Sequence, residues 1–188
     1  TYGVRARHFS SQGGVKDQGY PGFSDNSIGA YGKYFMRKIE VGGSFDYERN
    51  VVHYYGYNGD SLSFDKDDIK QRFNKVDGNI YLGTFTPDSQ KLNHREEITY
   101  QYTDDHFNAM ENRIQASTAL SKIVNKELYG FNFKFDYNNF VPTYNFVGCT
   151  DCLEQGLLGF TQNNALVTFN PNVKSVGKDW NLKVGLIL

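Results

Sequence analysis

The feature that most constrains the fold is a strict two-residue alternation of apolar and polar side chains in residues 129–137. One parity of this segment is wholly aromatic and comprises Tyr129, Phe131, Phe133, Phe135 and Tyr137. The other parity is glycine or polar. Because successive side chains of a β-strand point to opposite faces, the pattern predicts a strand with one aromatic face and one polar face.

The same alternation recurs along the chain and predicts about nine strands. The predicted strands are residues 2–9, 27–35, 39–47, 70–86, 95–103, 111–124, 128–137, 165–169 and 180–188. Long polar links near residues 10–26, 56–68 and 141–163 alternate imperfectly with short links at 36–38, 86–92, 104–110 and 125–126. Residues 1–188 are therefore expected to form one antiparallel up-and-down domain.

Composition supports an all-β chain and excludes several other classes. The sequence has 15 Phe, 14 Tyr and 19 Gly but only 2 Met and 4 Pro, which is typical of strands joined by glycine-containing turns and not of a helical bundle. This aromatic content also argues against disorder. With 20 Lys and Arg against 21 Asp and Glu, the charge balance argues against nucleic acid as the main partner.

Strand length favours a transmembrane β-barrel, or a large fragment of one, over a soluble β-sandwich. Residues 27–35, 111–124 and 127–137 give runs of about 9–14 residues, whereas a typical soluble strand has about 5–6 and a spanning strand needs about 9–11. An exposed five-aromatic stripe would promote aggregation in water but is stable against lipid. The alternative is a soluble β-sandwich that binds a glycan or a protein and packs its apolar faces together.

In the barrel interpretation the two parities have different roles. The aromatic residues 129, 131, 133, 135 and 137 face the lipid bilayer, while polar residues of the opposite parity line a hydrated lumen. The predicted lumen-lining residues are Glu40, Ser44, Asp46, Asn132, Lys134 and Asp136. The expected function is the passage or uptake of a solute through this lumen.

The remaining polar motifs predict no enzyme, cofactor or metal site. Cys149 and Cys152 form one CxxC in the longest polar link, for which a local disulfide is a plainer interpretation than zinc binding. The four histidines, at positions 8, 53, 94 and 106, have no metal-binding spacing. The acidic stretch 60–68 lacks the order of residues of a calcium-binding loop.

Four strings also carry a resemblance to a known family. They are HFSSQGG at 8–14, GFSDNSIGAYGKYF at 22–35, DYERNVVHYYGYN at 46–58 and DIKQRF at 68–73. In these strings the chain resembles outer-membrane β-barrel proteins of the Bacteroidetes type, which are related to the barrel of TonB-dependent receptors. The resemblance is best over roughly the first half of the chain.

This resemblance implies a location in the bacterial outer membrane and a transporter-like role. It also implies two partners outside this chain, a plug domain and an energy-coupling protein of the inner membrane. Nothing in the sequence resembles the plug, and the last residue is Leu188 and not an aromatic residue. Both departures lead to the expectation of a fragment of a larger barrel or of a variant without a plug.

Overall fold

The computed structural model describes residues 1–14, 16–57, 62–85, 91–125, 127–142, 161–176 and 181–186. These residues form one sheet of nine strands whose spatial order follows the chain from β1 to β9. The strands are β1 Tyr2–Ser11, β2 Phe23–Phe35, β3 Ile39–His53, β4 Lys70–Thr84, β5 Asn93–Asp105, β6 Met110–Val124, β7 Glu127–Val141, β8 Gln162–Val176 and β9 Asn181–Gly185. All neighbouring strands are antiparallel. The predicted all-β antiparallel meander is confirmed.

The connections differ between the two ends of the strands. At one end, residues 12–22, 54–69, 106–109 and 142–161 join consecutive strands, and at the other end residues 36–38, 85–92, 125–126 and 177–180 do so. We call these the long-connection end and the short-connection end. The three longest links fall at the same end because a meander reverses direction at every strand.

Most strands are longer than the alternating segments from which they were predicted. The strand β3 continues past residue 47 to His53, and β2 begins at Phe23 instead of residue 27. The largest difference is β8, which extends from the predicted 165–169 to Gln162–Val176 and includes Pro171. At the C-terminal end β9 is Asn181–Gly185, within the predicted 180–188.

The described part of the chain has almost no packed interior. Apart from the glycines Gly22, Gly29 and Gly83, its buried residues are Ile69 and Gln71, each 7% exposed, at the start of β4. The accessible surface is 13646 Å², whereas a compact monomer of this mass would expose roughly 9,000 Å². A second layer covers neither face of the sheet within the described residues, and β1 and β9 are its two edge strands.

Helical segments of the length and apolar character needed to cross a membrane are absent from the described residues.

Candidate functional site

The register of the sheet places the predicted lumen residues on one face. Directly paired residues share a face, and one row of pairs leads from Glu40 on β3 through β4, β5 and β6 to Asn132 on β7. The row that begins at Ser44 leads in the same way to Asp136. The residues that share this polar face therefore include Glu40, Ser44, Asp46, Asn132, Lys134 and Asp136.

The opposite face carries the five aromatic residues of β7. Their partners on β6 and β8 are mostly apolar, as in the row Ala116, Phe135 and Val167. We call this the apolar face. It is the face that the alternation predicted to contact lipid.

Asp136 is the centre of the densest polar network on the polar face. The Arg113 guanidinium donates from Nε to Oδ1 at 2.9 Å and from Nη2 to Oδ2 at 2.5 Å. Gln115 Nε2 donates to Oδ2 at 3.0 Å, and Lys134 Nζ lies 3.8 Å from the same oxygen. A two-pronged guanidinium–carboxylate pair of this kind combines charge attraction with a defined orientation of both side chains.

The Asp46 carboxylate forms an ion pair with an arginine that lies two strands away. Arg5 on β1 and Asp46 on β3 flank Gly29 on β2, and Arg5 Nη2 lies 2.6 Å from Asp46 Oδ1. A Cβ at residue 29 would collide with the Asp46 carboxylate and lie 2.9 Å from Arg5 Nε. The ion pair therefore crosses β2 through the space that the glycine leaves.

Glu40 belongs to a third cluster, which includes an aromatic ring. Lys33 Nζ and Arg95 Nη1 lie 3.3 and 3.5 Å from its carboxylate. The Tyr81 ring lies across Gly42, with Cζ 2.6 Å from where a Cβ would be. The Arg95 guanidinium carbon is 4.1 Å from the centre of that ring, so the ring both covers the glycine and stabilises the cation.

The basic partners of these carboxylates were not predicted from the sequence. Arg5, Arg95 and Arg113 lie at the correct parity of their strands, which is a signal that they share a face with the acids. The parity does not say which acid each arginine meets, because that depends on the pairing register.

The apolar face contains a band without charged side chains. The band consists of alternate residues, counted from the first of each range, within 2–6, 28–34, 41–47, 76–82, 98–102, 114–120, 129–137, 165–173 and 182–186. Its members are aliphatic, aromatic, glycine or proline, with Thr118 as the one hydroxyl-bearing aliphatic side chain of these described positions. Large side chains in the band are open to the surroundings, including Ile80 at 64% and Ile98 at 51%.

Tyrosine and asparagine mark the edge of this band at the long-connection end. The hydroxyl of a tyrosine on β3, β5 or β7 donates to an asparagine on the next strand, two residues nearer that end than its direct partner. The three hydrogen bonds are Tyr47 to Asn74 at 3.2 Å, Tyr100 to Asn112 at 2.9 Å and Tyr137 to Asn163 at 2.9 Å. The sheet therefore repeats one tyrosine–asparagine unit in the pairs β3–β4, β5–β6 and β7–β8.

Histidines in the described residues contact ordinary side-chain or backbone partners. His8 contacts Asn26 and Ser10, His53 contacts the Gly22 carbonyl and the Tyr20 ring, and His94 contacts Glu96. The described residues contain no group of three His, Cys, Asp or Glu that could hold a metal ion. The predicted Cys149–Cys152 disulfide lies outside the described residues.

Comparison of the chain with protein-family models, curated proteins and solved structures finds no match.

Proposed function

We propose that this chain is the barrel-forming part of an outer-membrane protein that conducts or takes up a polar solute. In this proposal the apolar face contacts lipid and the polar face lines a water-filled lumen. The observation that carries it is the combination of an uncovered, charge-free band on one face with ion-paired side chains on the other face of the same strands.

The height of the apolar band supports a membrane-spanning role. From Tyr129 to Tyr137 the strand β7 rises about 27 Å, at about 3.4 Å per residue. A strand tilt of about 40° reduces this to about 20 Å, which is close to the roughly 25 Å apolar band of outer-membrane barrels. Tyrosines at both ends of the segment occupy the levels at which barrels carry aromatic girdles.

The connections support an orientation in that membrane. Outer-membrane barrels have short periplasmic turns and longer extracellular loops. The long-connection end, with residues 12–22, 54–69 and 142–161, is therefore assigned to the cell exterior, and the links 36–38 and 125–126 to the periplasm.

The polar face suits a hydrated lumen better than a dry core. Arg5, Lys33, Arg95 and Arg113 keep between a third and three quarters of their side-chain surface exposed while paired with acids. Water solvates such groups at little cost, whereas a dry interior would impose a large desolvation penalty on each ion. The resemblance to TonB-dependent receptor barrels extends the proposal to energised uptake, with a plug and an inner-membrane protein as partners outside this chain.

Detergent extraction and gel migration test the membrane assignment. We expect the protein to sediment with membranes, to require detergent for solubility and to migrate faster on SDS gels before boiling than after it. A protein that stays soluble without detergent would contradict the proposal and favour the soluble β-sandwich module.

Conductance in planar bilayers tests the lumen assignment separately. Discrete channel openings, or openings after removal of a plug, are expected if the polar face lines a passage. In a conducting form, the double variant Asp46→Asn and Asp136→Asn leaves Arg5 and Arg113 without their acids, so the preference should shift towards anions. An unchanged reversal potential would remove these two residues from the lumen.

A further inference from the structure

Three basic side chains lie together on the apolar face, just beyond the tyrosine–asparagine edge. Arg49 on β3 is two residues beyond Tyr47, while Arg72 and Lys70 on β4 lie four and six residues beyond Val76. Arg72 pairs with Val51 and is a diagonal neighbour of Arg49, and Lys70 pairs with His53. We call Arg49, Lys70 and Arg72 the cationic patch.

The acids around this patch only partly neutralise it. Lys70 Nζ lies 3.3 Å from Asp67, whose side chain is 86% exposed, and Arg72 Nη2 lies 4.0 Å from Asp104. Asp104 also accepts a hydrogen bond from Asn74 at 2.9 Å. Arg49 is exposed and has neither an ion pair nor a hydrogen bond to another described side chain. The buried Arg72 Nε atom likewise has no hydrogen-bond partner in the described part of the chain.

Two further groups of the adjoining connections lie beside the patch. The His53 ring packs against Tyr20 with ring centres 4.8 Å apart, and Lys66 Nζ lies 4.3 Å from the centre of that same tyrosine ring. His53 Nδ1 contacts the Gly22 carbonyl oxygen. These contacts place a fourth cation, Lys66, next to the patch, in a connection that also carries Asp65, Asp67 and Asp68.

The opposite edge of the apolar face, at the short-connection end, has no comparable group of basic residues on the described strands. On the described strands the charged residues just beyond the band at the short-connection end include Glu96, Lys122 and Glu127. Basic residues are therefore concentrated at one edge of the face, which is the edge assigned above to the outer leaflet.

We infer that the cationic patch binds the phosphate of an anionic lipid headgroup in that leaflet. This inference rests on the proposed function, because it requires the apolar face to contact lipid. Two residues of a strand rise about 7 Å, so the patch begins about one such step beyond the apolar band, at headgroup depth. The exposed, unpaired Arg49 guanidinium suits a phosphate oxygen there, since arginine binds phosphate through parallel hydrogen bonds.

Lipid binding by the membrane-extracted protein tests this inference. Native mass spectrometry with phosphatidic acid as the probe measures the affinity of the wild type and of the triple variant Arg49→Gln, Lys70→Gln and Arg72→Gln. The matched control is Lys122→Gln, which removes one cation from the same face at the short-connection end. We expect the triple variant to bind roughly tenfold more weakly or worse, and the control to bind within about twofold of wild type.

Three results would overturn the inference. One is equal binding by the triple variant and the wild type, and another is an equal loss in Lys122→Gln. The third is full displacement of the lipid by inorganic phosphate at matched concentration, which would identify a free-anion site instead of a lipid site.

Heat-modifiable migration and insertion into phosphatidylcholine vesicles are measured on the same preparations. A wild type that fails to insert contradicts the proposed function itself. A wild type that inserts but shows no dependence on the patch contradicts only the lipid site.

Discussion

At the scale of single residues, several acids of the polar face each bind more than one donor. Asp136 binds Arg113 and Gln115, Glu40 lies near Lys33 and Arg95, and Asp77 accepts from Gln101 at 2.7 Å while lying 3.0 Å from Lys75. Such sharing fixes the positions of charges that would otherwise be mobile on a solvated surface. A solute passing over this face would meet charges at defined positions.

Asp136→Asn should destabilise the sheet, because it turns a charged, two-pronged acceptor into a neutral amide beside Arg113. The Asp136 side chain is 12% exposed and that of Arg113 is 41% exposed. The free energy of unfolding should therefore fall by about 1 kcal/mol, which is less than for a fully buried pair. Urea unfolding in lipid vesicles measures the change. Lys134→Gln is the control, since its nitrogen is 3.8 Å from the carboxylate; a loss as large as that of Asp136→Asn would contradict this account.

Two glycines of β2 should respond oppositely to alanine. Gly29 lies beneath the Arg5–Asp46 pair, where a Cβ collides with the carboxylate, whereas Gly32 on the other face has no atom within 4 Å of its Cβ position. We expect Gly29→Ala to lower the free energy of unfolding by about 1 kcal/mol and Gly32→Ala to leave it equal or slightly higher. The same unfolding assay compares them, and equal effects would show that the ion pair does not depend on the glycine.

At the scale of the strands, alternation predicted the part that crosses the apolar band in every strand except β8, and it missed polar ends in strands such as β2 and β3. In β3 the pattern stops at Tyr47 because Arg49 follows on the apolar face, but the hydrogen-bonded ladder continues to His53. In β8 the sequence Asn170–Pro171–Asn172 has the composition of a turn, yet the strand continues through it to Val176. Backbone pairing, with β4 for β3 and with β7 for β8, determines these ends, and side-chain polarity does not.

The features that depend on the pairing register of the strands could not be predicted from the sequence. Strand parity alone predicts which residues share a face, and the six predicted polar-face residues do share one. The tyrosine–asparagine units and the cationic patch require knowing which residue of β4 lies beside which residue of β3. The lengths of the links, which vary as widely as those of 36–38 and 54–69, do not determine this offset between neighbouring strands.

Lysine substitutions on β7 should give a profile that depends on both face and depth. Phe133→Lys places a charge in the middle of the apolar band and should cost about 2–4 kcal/mol in a bilayer, while Asn139→Lys on the same face, beyond Tyr137, should cost about 0–1 kcal/mol. Asn132→Lys, on the polar face, should also cost less than about 1 kcal/mol. Reversible unfolding in vesicles measures all three. A similar cost at Phe133 and Asn139 would contradict the membrane depth assigned to the band.

At the scale of the whole molecule, the number of strands limits how the sheet can close. β1 and β9 run in the same direction, because consecutive strands of the meander alternate and the described residues form nine strands, an odd number. Direct closure would pair them in parallel, whereas bacterial outer-membrane barrels are antiparallel with an even strand number. A barrel of about eight strands is also filled by its own side chains, and an open channel needs about 16–18. The odd strand number and the lumen width that a channel needs therefore both favour a barrel that is closed by strands other than these nine.

Crosslinking can test whether the nine strands close on themselves. In a background of Cys149→Ser and Cys152→Ser, the pair Val4→Cys and Ala30→Cys joins direct partners on β1 and β2 and should react with a short bis-maleimide. The pair Val4→Cys and Val184→Cys places one cysteine on each edge strand. These strands would lie about 38 Å apart in a flat sheet of this width, so the pair should stay unlinked within one chain. Efficient linkage of the second pair would mean a parallel seam and a narrow, side-chain-filled interior, so the proposed solute passage would have to be abandoned in favour of a barrel without a channel.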